Sequence, residues 1–379
     1  MQKLGVGIIG CGNISKAYCD LAPNFKALEV RAVADLNAEI AAARAAEYEG
    51  VRALSVDELL AADDIDLIIN LTIPAAHFAV TKRILEHGKH AYSEKPYVLS
   101  LEEGEELRAI AEAKGLRVGS APDTFMGGAH QFVRHLIDSD KVGPITSGTC
   151  HFLAPGMEMW HPNPDFFFQP GGGPVLDMGP YYVTNLVQLL GPVKSVTAMA
   201  NKGRAQRTIT TDCPRQGEVL DVIVDTNVHA IAEFHSGAQI ALTMSWDVWG
   251  NKHQNMELYG TKGAIFVPDP NFFGGDVTTI GTDRQPVVEE QWDHAFGVNN
   301  ITDGQGNPRA NYRTAGVADM AQAIVEGRPH RCSLELATHV IDVLTSMLKA
   351  AETRQVVELT TTCDRPAIVT PEEAKALLG

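Results

Sequence analysis

The chain has 379 residues, 45% apolar and 21% charged, enough for two ordinary domains with a core each. Its 47 acidic residues outnumber 31 basic ones, and a formal charge of −16 disfavours phosphate backbones and anionic lipid, so neither nucleic acid nor membrane is an expected partner. There is no basic-then-apolar leader, no apolar run of membrane-spanning length and no zinc-like spacing among Cys11, Cys19, Cys150, Cys213, Cys332 and Cys363, which leads us to expect a cytoplasmic protein with reduced thiols and no metal.

Leu4 to Ile9 is a short apolar run that breaks into Gly10-Cys11-Gly12-Asn13-Ile14-Ser15, with a helix-compatible stretch from Lys16. This reads as strand, glycine turn and helix start. A literal Gly-x-Gly-x-x-Gly at Gly5, Gly7 and Gly10 lies inside the strand, where the backbone is committed to sheet pairing. The set able to face a ligand is Gly10, Gly12 and Ser15, whose turn would aim free N–H groups at a pyrophosphate. Leu28 to Ala34 is a second strand, and it ends at Asp35. About 20 residues beyond the glycines is where a carboxylate accepts from a ribose 2′-hydroxyl. Asp35 would also repel a 2′-phosphate, and Leu36-Asn37 supplies no arginine to offset it, so NAD is favoured over NADP.

The alternation continues. Asn37 can cap a helix through Ala46, a short strand surrounds Val51, and Ser55 with Glu58 makes a capping box. Ile65 to Ile73 is almost continuously apolar, as a parallel strand covered on both faces requires. A helix from Ala75 to His87 stops at Gly88, Lys89 to Tyr92 is a strand running into Ser93-Glu94-Lys95-Pro96, and Ser100 with Glu103 reads as a second capping box. After a helix ending at Gly115, Leu116 to Ala121 is a sixth strand and Pro122 marks a domain edge. The pattern predicts a doubly wound parallel sheet over residues 1–122, with ligands at the carboxyl ends of the strands. Those ends carry Gly10, Gly12, Asp35, Thr72 to Pro74, Glu94, Lys95 and Asp123. Lys95, held extended by the proline after it, could present its ammonium to a substrate oxygen; taken alone it also fits a solvated loop lysine.

Residues 123–379 read differently: one helix from Ala129 to Asp138, then strands joined by tight turns. Val228 to Phe234 with Ala238 to Trp246 and Met256 to Tyr259 with Ala264 to Val267 are hairpins, and Ile145 to Phe152 and Val193 to Ala200 are further strands. A mostly antiparallel sheet with one open face is expected, and the open face predicts a homodimer or homotetramer. Pro155 to Gln169, Asn201 to Gly217 and Pro268 to Arg309 read as long binding loops or mobile surface. The first holds Trp160, His161, Asp165 and Phe166 to Phe168, suited to a sugar with its apolar face and hydroxylated edge, although the phenylalanines fit a hydrophobic plug equally well. Helices at 315–325 and 333–351, a strand at 356–361 and a short helix at 371–378 complete the chain.

That first loop runs into Gly171-Gly172-Gly173-Pro174-Val175-Leu176-Asp177-Met178-Gly179-Pro180-Tyr181-Tyr182. Three glycines permit a close approach or a turn, Pro180 suits a first helical position, and Asp177 and Tyr181 at i,i+4 share a helix face. Alone, the stretch is also compatible with an ordinary helix after a tight turn.

Taken together, Gly10-Cys11-Gly12-Asn13-Ile14, Asp35, Thr72-Ile73-Pro74 with His77, Gly88-Lys89-His90, Glu94-Lys95-Pro96 and Gly171 to Tyr181 resemble the Gfo/Idh/MocA oxidoreductases over nearly the whole chain. The resemblance implies a nicotinamide-binding Rossmann domain, a carboxyl-terminal α/β domain with an open sheet, and oxidation or reduction of a sugar, polyol or cyclitol. Cofactor contacts are expected from Gly10, Gly12, Asn13, Ile14, Asp35, Thr72, Pro74, His77, Glu94 and Lys95, and substrate contacts from Lys95, Asp177 and Tyr181, joined by Trp160, His161 and Asp165 of the aromatic loop. The family's lysine falls on Lys95 and its Asp-x-Gly-x-His on Asp177, Gly179 and Tyr181, so tyrosine replaces histidine. Histidine titrates near neutrality and tyrosine near 10, so Tyr181 needs a neighbouring cation to act as a base, and Lys95 is the natural one. The expected catalytic set is Lys95, Asp177 and Tyr181; rival expectations are a cofactor-binding sensor or repressor on this fold, or an NAD-dependent glycosidase.

Overall fold

The computed structural model describes residues 3–303 and 306–379, and the chain divides into two compact units. The first contains the chain up to Gly128 together with Asp293–Ile341 and Pro366–Gly379; the second contains Ala129–Trp292 and Asp342–Arg365.

The first unit is built on six parallel strands: β1 (Leu4–Ile9), β2 (Leu28–Ala34), β3 (Arg52–Leu54), β4 (Leu67–Asn70), β5 (His90–Ser93) and β6 (Val118–Ser120). Between them run α1 (Asn13–Leu21), α2 (Ala38–Ala46), α3 (Val56–Ala61), α4 (Pro74–Glu86) and α5 (Leu101–Lys114). Their order across the sheet is β3-β2-β1-β4-β5-β6, the doubly wound arrangement whose direction reverses between β1 and β4. Every residue of β1 and β4 is buried, which is why both read as unbroken apolar runs. Gly5 and Gly7 belong to this packing: a Cβ on Gly5 would stand 1.9 Å from the Asp64 carbonyl, and one on Gly7 2.9 Å from Leu59.

Local signals placed the helices well. Asn37 accepts from Glu39 N at 2.9 Å, and Ser55 and Glu58 form both halves of their capping box. At α5 only half of the expected box forms: Ser100 accepts from Glu103 N, whereas the Glu103 carboxylate takes Leu99 N at 2.9 Å, one residue earlier. Gly88 (φ 76°) and Gly115 (φ 63°) end their helices in the left-handed conformation that favours glycine.

Where the sequence suggests a single cut after Pro122, the first unit recovers two later segments. Helix Ala315–Glu326 lies against β6 so closely that a Cβ on Gly119 would meet Met320 Sδ at 2.9 Å. Asp319, fully buried, pairs with Arg331 Nη1 at 2.7 Å, and Arg331 Nη2 reaches Glu373 at 2.8 Å in the helix Pro371–Leu377. No local periodicity announces such returns.

The second unit carries a nine-stranded sheet. Its elements are α6 (Gly128–Asp138), β7 (Ile145–Leu153), α7 (Gly173–Leu190), β8 (Val193–Asn201), a small hairpin β9 (Gln206–Thr208) and β10 (Val219–Asp221), β11 (Asn227–Phe234), β12 (Gln239–Ser245), β13 (Met256–Gly260), β14 (Ala264–Val267), β15 (Thr278–Ile280) and β16 (Pro286–Val288). The sheet order is β16-β15-β14-β13-β7-β12-β11-β8, with strand Val357–Glu358 beyond β8. All pairs are antiparallel except β7 with β12. Along β11, Val228, Ala230, Ala232 and Phe234 are buried while Ile231 is 52% exposed, and Met199 of β8 is 63% exposed. One face of the sheet is thus core and the other is left to solvent with apolar side chains on it.

Of the three expected irregular stretches, 201–217 contains β9, and 268–309 contains β15 and β16, with Gly304 and Gln305 outside the described residues. Among the described residues no helix is long and apolar enough to cross a membrane, no disulfide joins any of the six cysteines, and no group of three or more metal-ligating side chains gathers.

Candidate active site

The carboxyl ends of β1 and β2, in the first unit, carry the expected cofactor residues. Gly10 has φ 101°, and a Cβ there would sit 2.6 Å from the Leu71 carbonyl, so only glycine is accommodated; around Gly12 nothing lies within 4 Å. Gly12 caps α1 with no side-chain acceptor on the first-turn N–H groups, while Ser15 turns inward and donates to Gly12 O at 2.7 Å. Asn13 and Ile14 open the helix. Asp35 closes the glycine loop from the next strand, accepting from Cys11 N and Asn37 N, both at 2.9 Å. Each of its oxygens retains acceptor capacity for a ribose hydroxyl. Beside it Leu36 is 100% exposed and Ile73, at the end of β4, 60%, two apolar surfaces at the strand ends. An uncrowded Gly12, a helix start without a side-chain cap and a carboxylate with spare acceptor capacity fit a dinucleotide.

At β4 and β5 the expected residues are knitted together. Asn70, fully buried, accepts from Thr72 N and Oγ1 and donates to Thr81 and to His77 O. His77 is 1% exposed, with Nδ1 2.7 Å from Pro96 O and Nε2 2.9 Å from Thr72 O. His77 is expected at the cofactor; both its nitrogens are occupied by backbone, so it acts on the site by holding the turns at Thr72–Pro74 and Lys95–Pro96. Glu94 likewise works on the chain itself, accepting from Tyr18 Oη at 2.8 Å and from Lys95 N at 2.9 Å. Lys95 is half-buried at this strand end.

Asp123, just past β6, was singled out only by its position. It is 3% exposed and accepts from Thr314 N and Gly316 N at 3.0 and 2.9 Å, securing Thr314 at φ 103°. Burial pushes its carboxyl up to about 6 against these two hydrogen bonds and the pull of Arg313.

The expected Asp177 and Tyr181 lie at the start of α7, in the second unit. The helix begins about two turns earlier than the sequence suggests: Gly172 is its cap, Pro174 occupies the first turn and Pro180 is interior. Pro180 therefore does not start the helix but leaves the Leu176 carbonyl without its helical donor. The three glycines are each required. Gly171 and Gly173 have φ 90°, and a Cβ on Gly172 would stand 2.3 Å from the Phe167 carbonyl. Of the eighteen residues of α7 all are buried except Asp177 and Tyr181. Gly179, between them, allows the approach of helix Leu334–Thr353, since a Cβ would meet Leu344 at 2.5 Å. The neighbouring Tyr182 faces inward, donating to Asp269 at 2.9 Å and accepting from Asn255 at 3.1 Å.

The loop before α7 supplies aromatic surface. Trp160 is 59% and Phe166 38% exposed, whereas Phe167 and Phe168 pack beneath with Trp246, so the phenylalanines divide between surface and plug. His161 stands among Trp160, Phe166 and Phe167, with Asp177 acting on it electrostatically. Asp165 is engaged by Arg215, at 2.5 and 3.0 Å, which holds its carboxyl below the usual range and makes it a brace of the loop. Beneath, Arg207, buried, bonds Glu158 at 2.7 Å and Asp247 at 2.6 Å. The sequence reading missed Arg207, whose pairing partners lie about 40 to 50 residues away in the chain.

A Rossmann sheet with a glycine turn at its first strand end, joined in one chain to a helix in which only a carboxylate and a phenol are not buried, defines a dinucleotide-dependent class of protein. Comparison gives the family. Residues 4–121 match the model described as oxidoreductase family, NAD-binding Rossmann fold, and 130–266 match the GFO/IDH/MocA C-terminal domain, so the chain belongs to the Gfo/Idh/MocA oxidoreductase family. It is similar to 1,5-anhydro-D-fructose reductase of Ensifer adhaerens, 26% identical over 68% of this chain and 74% of that one. It also resembles scyllo-inositol 2-dehydrogenase (NADP(+)) of Bacillus subtilis, 28% identical over 50% and 60%. A match to an uncharacterized oxidoreductase of Schizosaccharomyces pombe, 32% identical, spans 41% of each chain, less than half of that relative's length. Among solved structures, levoglucosan dehydrogenase in complex with NADH and L-sorbose shares the fold at TM-score 0.78 and 20% identity, over 95% of this chain and 100% of that one.

Proposed function

We propose that the protein transfers a hydride between NAD and a secondary alcohol or ketone of a sugar, polyol or cyclitol. The observation that carries this is α7, where a carboxylate and a phenol at i,i+4 are the two side chains not buried. Relatives named as acting on an anhydro-sugar and an inositol support the substrate class. The bound nicotinamide would supply the hydride acceptor, held by Gly10, Gly12 and Asp35. Tyr181 moves the hydroxyl proton, Lys95 favours its phenolate, and Asp177 orients Lys95 or a substrate hydroxyl. Asp35 favours NAD, whose ribose hydroxyls it can accept from, over NADP, whose 2′-phosphate it repels. The open sheet face, with Met199 and Ile231 on it, is proposed as the surface through which copies associate.

The test is initial rates over a panel of sugars and cyclitols with NAD and NADP, for the wild type, Tyr181→Phe and Lys95→Met. Turnover falls about 100-fold or more in each variant, while NADH binding persists. Tyr181→Phe within a few-fold of wild type removes that residue from proton transfer. A panel blank throughout, with NADH still bound, favours the sensor; turnover of chromogenic glycosides without net NADH favours the glycosidase.

A further inference from the structure

Near Asp177 stands a second group with an ordinary pKa close to neutrality, His161, and the tyrosine at 181 raises the question of which of them carries the proton. Its surroundings are fixed. Gly172 presses on the Phe166 and Phe167 carbonyls, where a Cβ would stand 2.6 and 2.3 Å away, so this pair is seated at the entry to α7. The imidazole stands nearly perpendicular to Trp160, Phe166 and Phe167, at centroid distances of 5.3, 5.5 and 5.3 Å. The loop is held from below by Arg207, which donates to Pro155 O at 2.9 Å and to Glu158 at 2.7 Å, and by Thr210 N on Glu158 O at 3.0 Å.

One contact decides the ring's chemistry: Asn163 N donates to His161 Nδ1 at 3.1 Å. A peptide N–H can only donate, so the Nδ1 lone pair is taken and the single proton of the neutral ring sits on Nε2. Protonation would set an Nδ1–H against the Asn163 N–H. Burial opposes the cation as well and lowers the pKa, against the pull of Asp177.

We infer that His161 is a fixed-tautomer hydrogen-bond donor, its Nε2–H given to an oxygen of the sugar or polyol, and that it does not carry the reaction's proton. This rests on the oxidoreductase reading and deepens it: His161 becomes a specificity-determining residue and the proton is left to Tyr181. Donor-only imidazole beside acceptor-only carboxylate complements two adjacent hydroxyls, one accepting from His161 and its neighbour donating to Asp177. The exposed face of Trp160 suits the C–H face of the same ring. A substrate lacking the oxygen that accepts from Nε2–H leaves a desolvated donor unpaired, which is how such a group discriminates.

The experiment has two arms. Long-range 1H–15N spectra of 15N-histidine-labelled protein, with His161→Gln assigning the resonance, read the tautomer at pH 7 without any substrate: Nε2–H is expected, and Nδ1–H or imidazolium overturns the inference whatever the activity. In the kinetic arm, with the best substrate of the panel, His161→Phe raises KM at least tenfold, His161→Gln, which keeps an N–H donor, recovers most of it, and the acid limb of the pH–kcat profile survives in both. Loss of that limb in His161→Gln, with turnover no better than in His161→Phe, overturns the inference by making His161 the proton carrier. A panel blank for the wild type defeats the oxidoreductase reading and the substrate role with it, and the spectra still decide the tautomer separately.

Discussion

Tyr181 and Tyr182 are neighbours with the same side chain, and the fold gives them opposite duties. Tyr182 is buried with its hydroxyl between Asp269 and Asn255, whereas Tyr181 is reachable. Tyr182→Phe removes the hydroxyl that bridges Asp269 and Asn255 and costs about 1 kcal/mol, read as a lower denaturation midpoint with turnover per folded molecule retained, the reverse of Tyr181→Phe. Asp123 gives a pH dependence of its own. Its folded carboxyl titrates at about 6, above the ordinary value near 3.9, so between those values the folded state holds the extra proton and stability falls as pH rises. The contribution is fully present below about pH 4 and lost by pH 6 to 7. Asp123→Asn, which keeps an acceptor for Thr314 N and Gly316 N, therefore flattens the decline in melting temperature across this window; an unchanged slope would show that other groups govern it.

Among the elements, α7 tests how glycines differ. The Cβ of Gly179→Ala meets the tip of Leu344, which can turn aside, but that of Gly172→Ala meets two backbone carbonyls that cannot. Gly179→Ala costs about 1–3 kcal/mol by overpacking; Gly172→Ala costs more and lowers turnover also, because Phe166, Phe167 and with them His161 are displaced. Urea denaturation of the two variants checks the order. The strand–helix alternation of the first domain was legible because caps and apolar runs are local: Asn37, Ser55 and Gly115 each mark their helix end without help from elsewhere. The start of α7 was misread for a local reason as well, since Pro174 and Pro180 are both plausible first-turn prolines and only the contact of Gly172 with the Phe167 carbonyl selects between them. The duties of His77 and Glu94 were not legible, because their partners Pro96 O and Tyr18 come together only in the folded unit.

For the molecule as a whole, the return of Asp293–Ile341 and Pro366–Gly379 to the first unit is invisible to periodicity because it rests on contacts between distant segments: Thr314 N and Gly316 N on Asp123, Ser120 N on Cys332 O, and Arg331 on Glu373. The exposed sheet face carries the remaining large-scale expectation. Ile231→Asp, on the solvent side of β11, leaves the buried alternation untouched and converts the associated form to monomer in sedimentation velocity; an unchanged sedimentation coefficient places the association elsewhere. A different consequence follows from α7 having only two residues not buried. The other sixteen anchor the helix, so residues 177 and 181 can vary with little effect on folding, and the working pH of the enzyme is set independently of its stability. Tyr181→His, placing an imidazole where a phenol stands, would move the pH optimum toward neutrality while the melting temperature stays within a few degrees, a change of chemistry by a single residue on an unaltered frame.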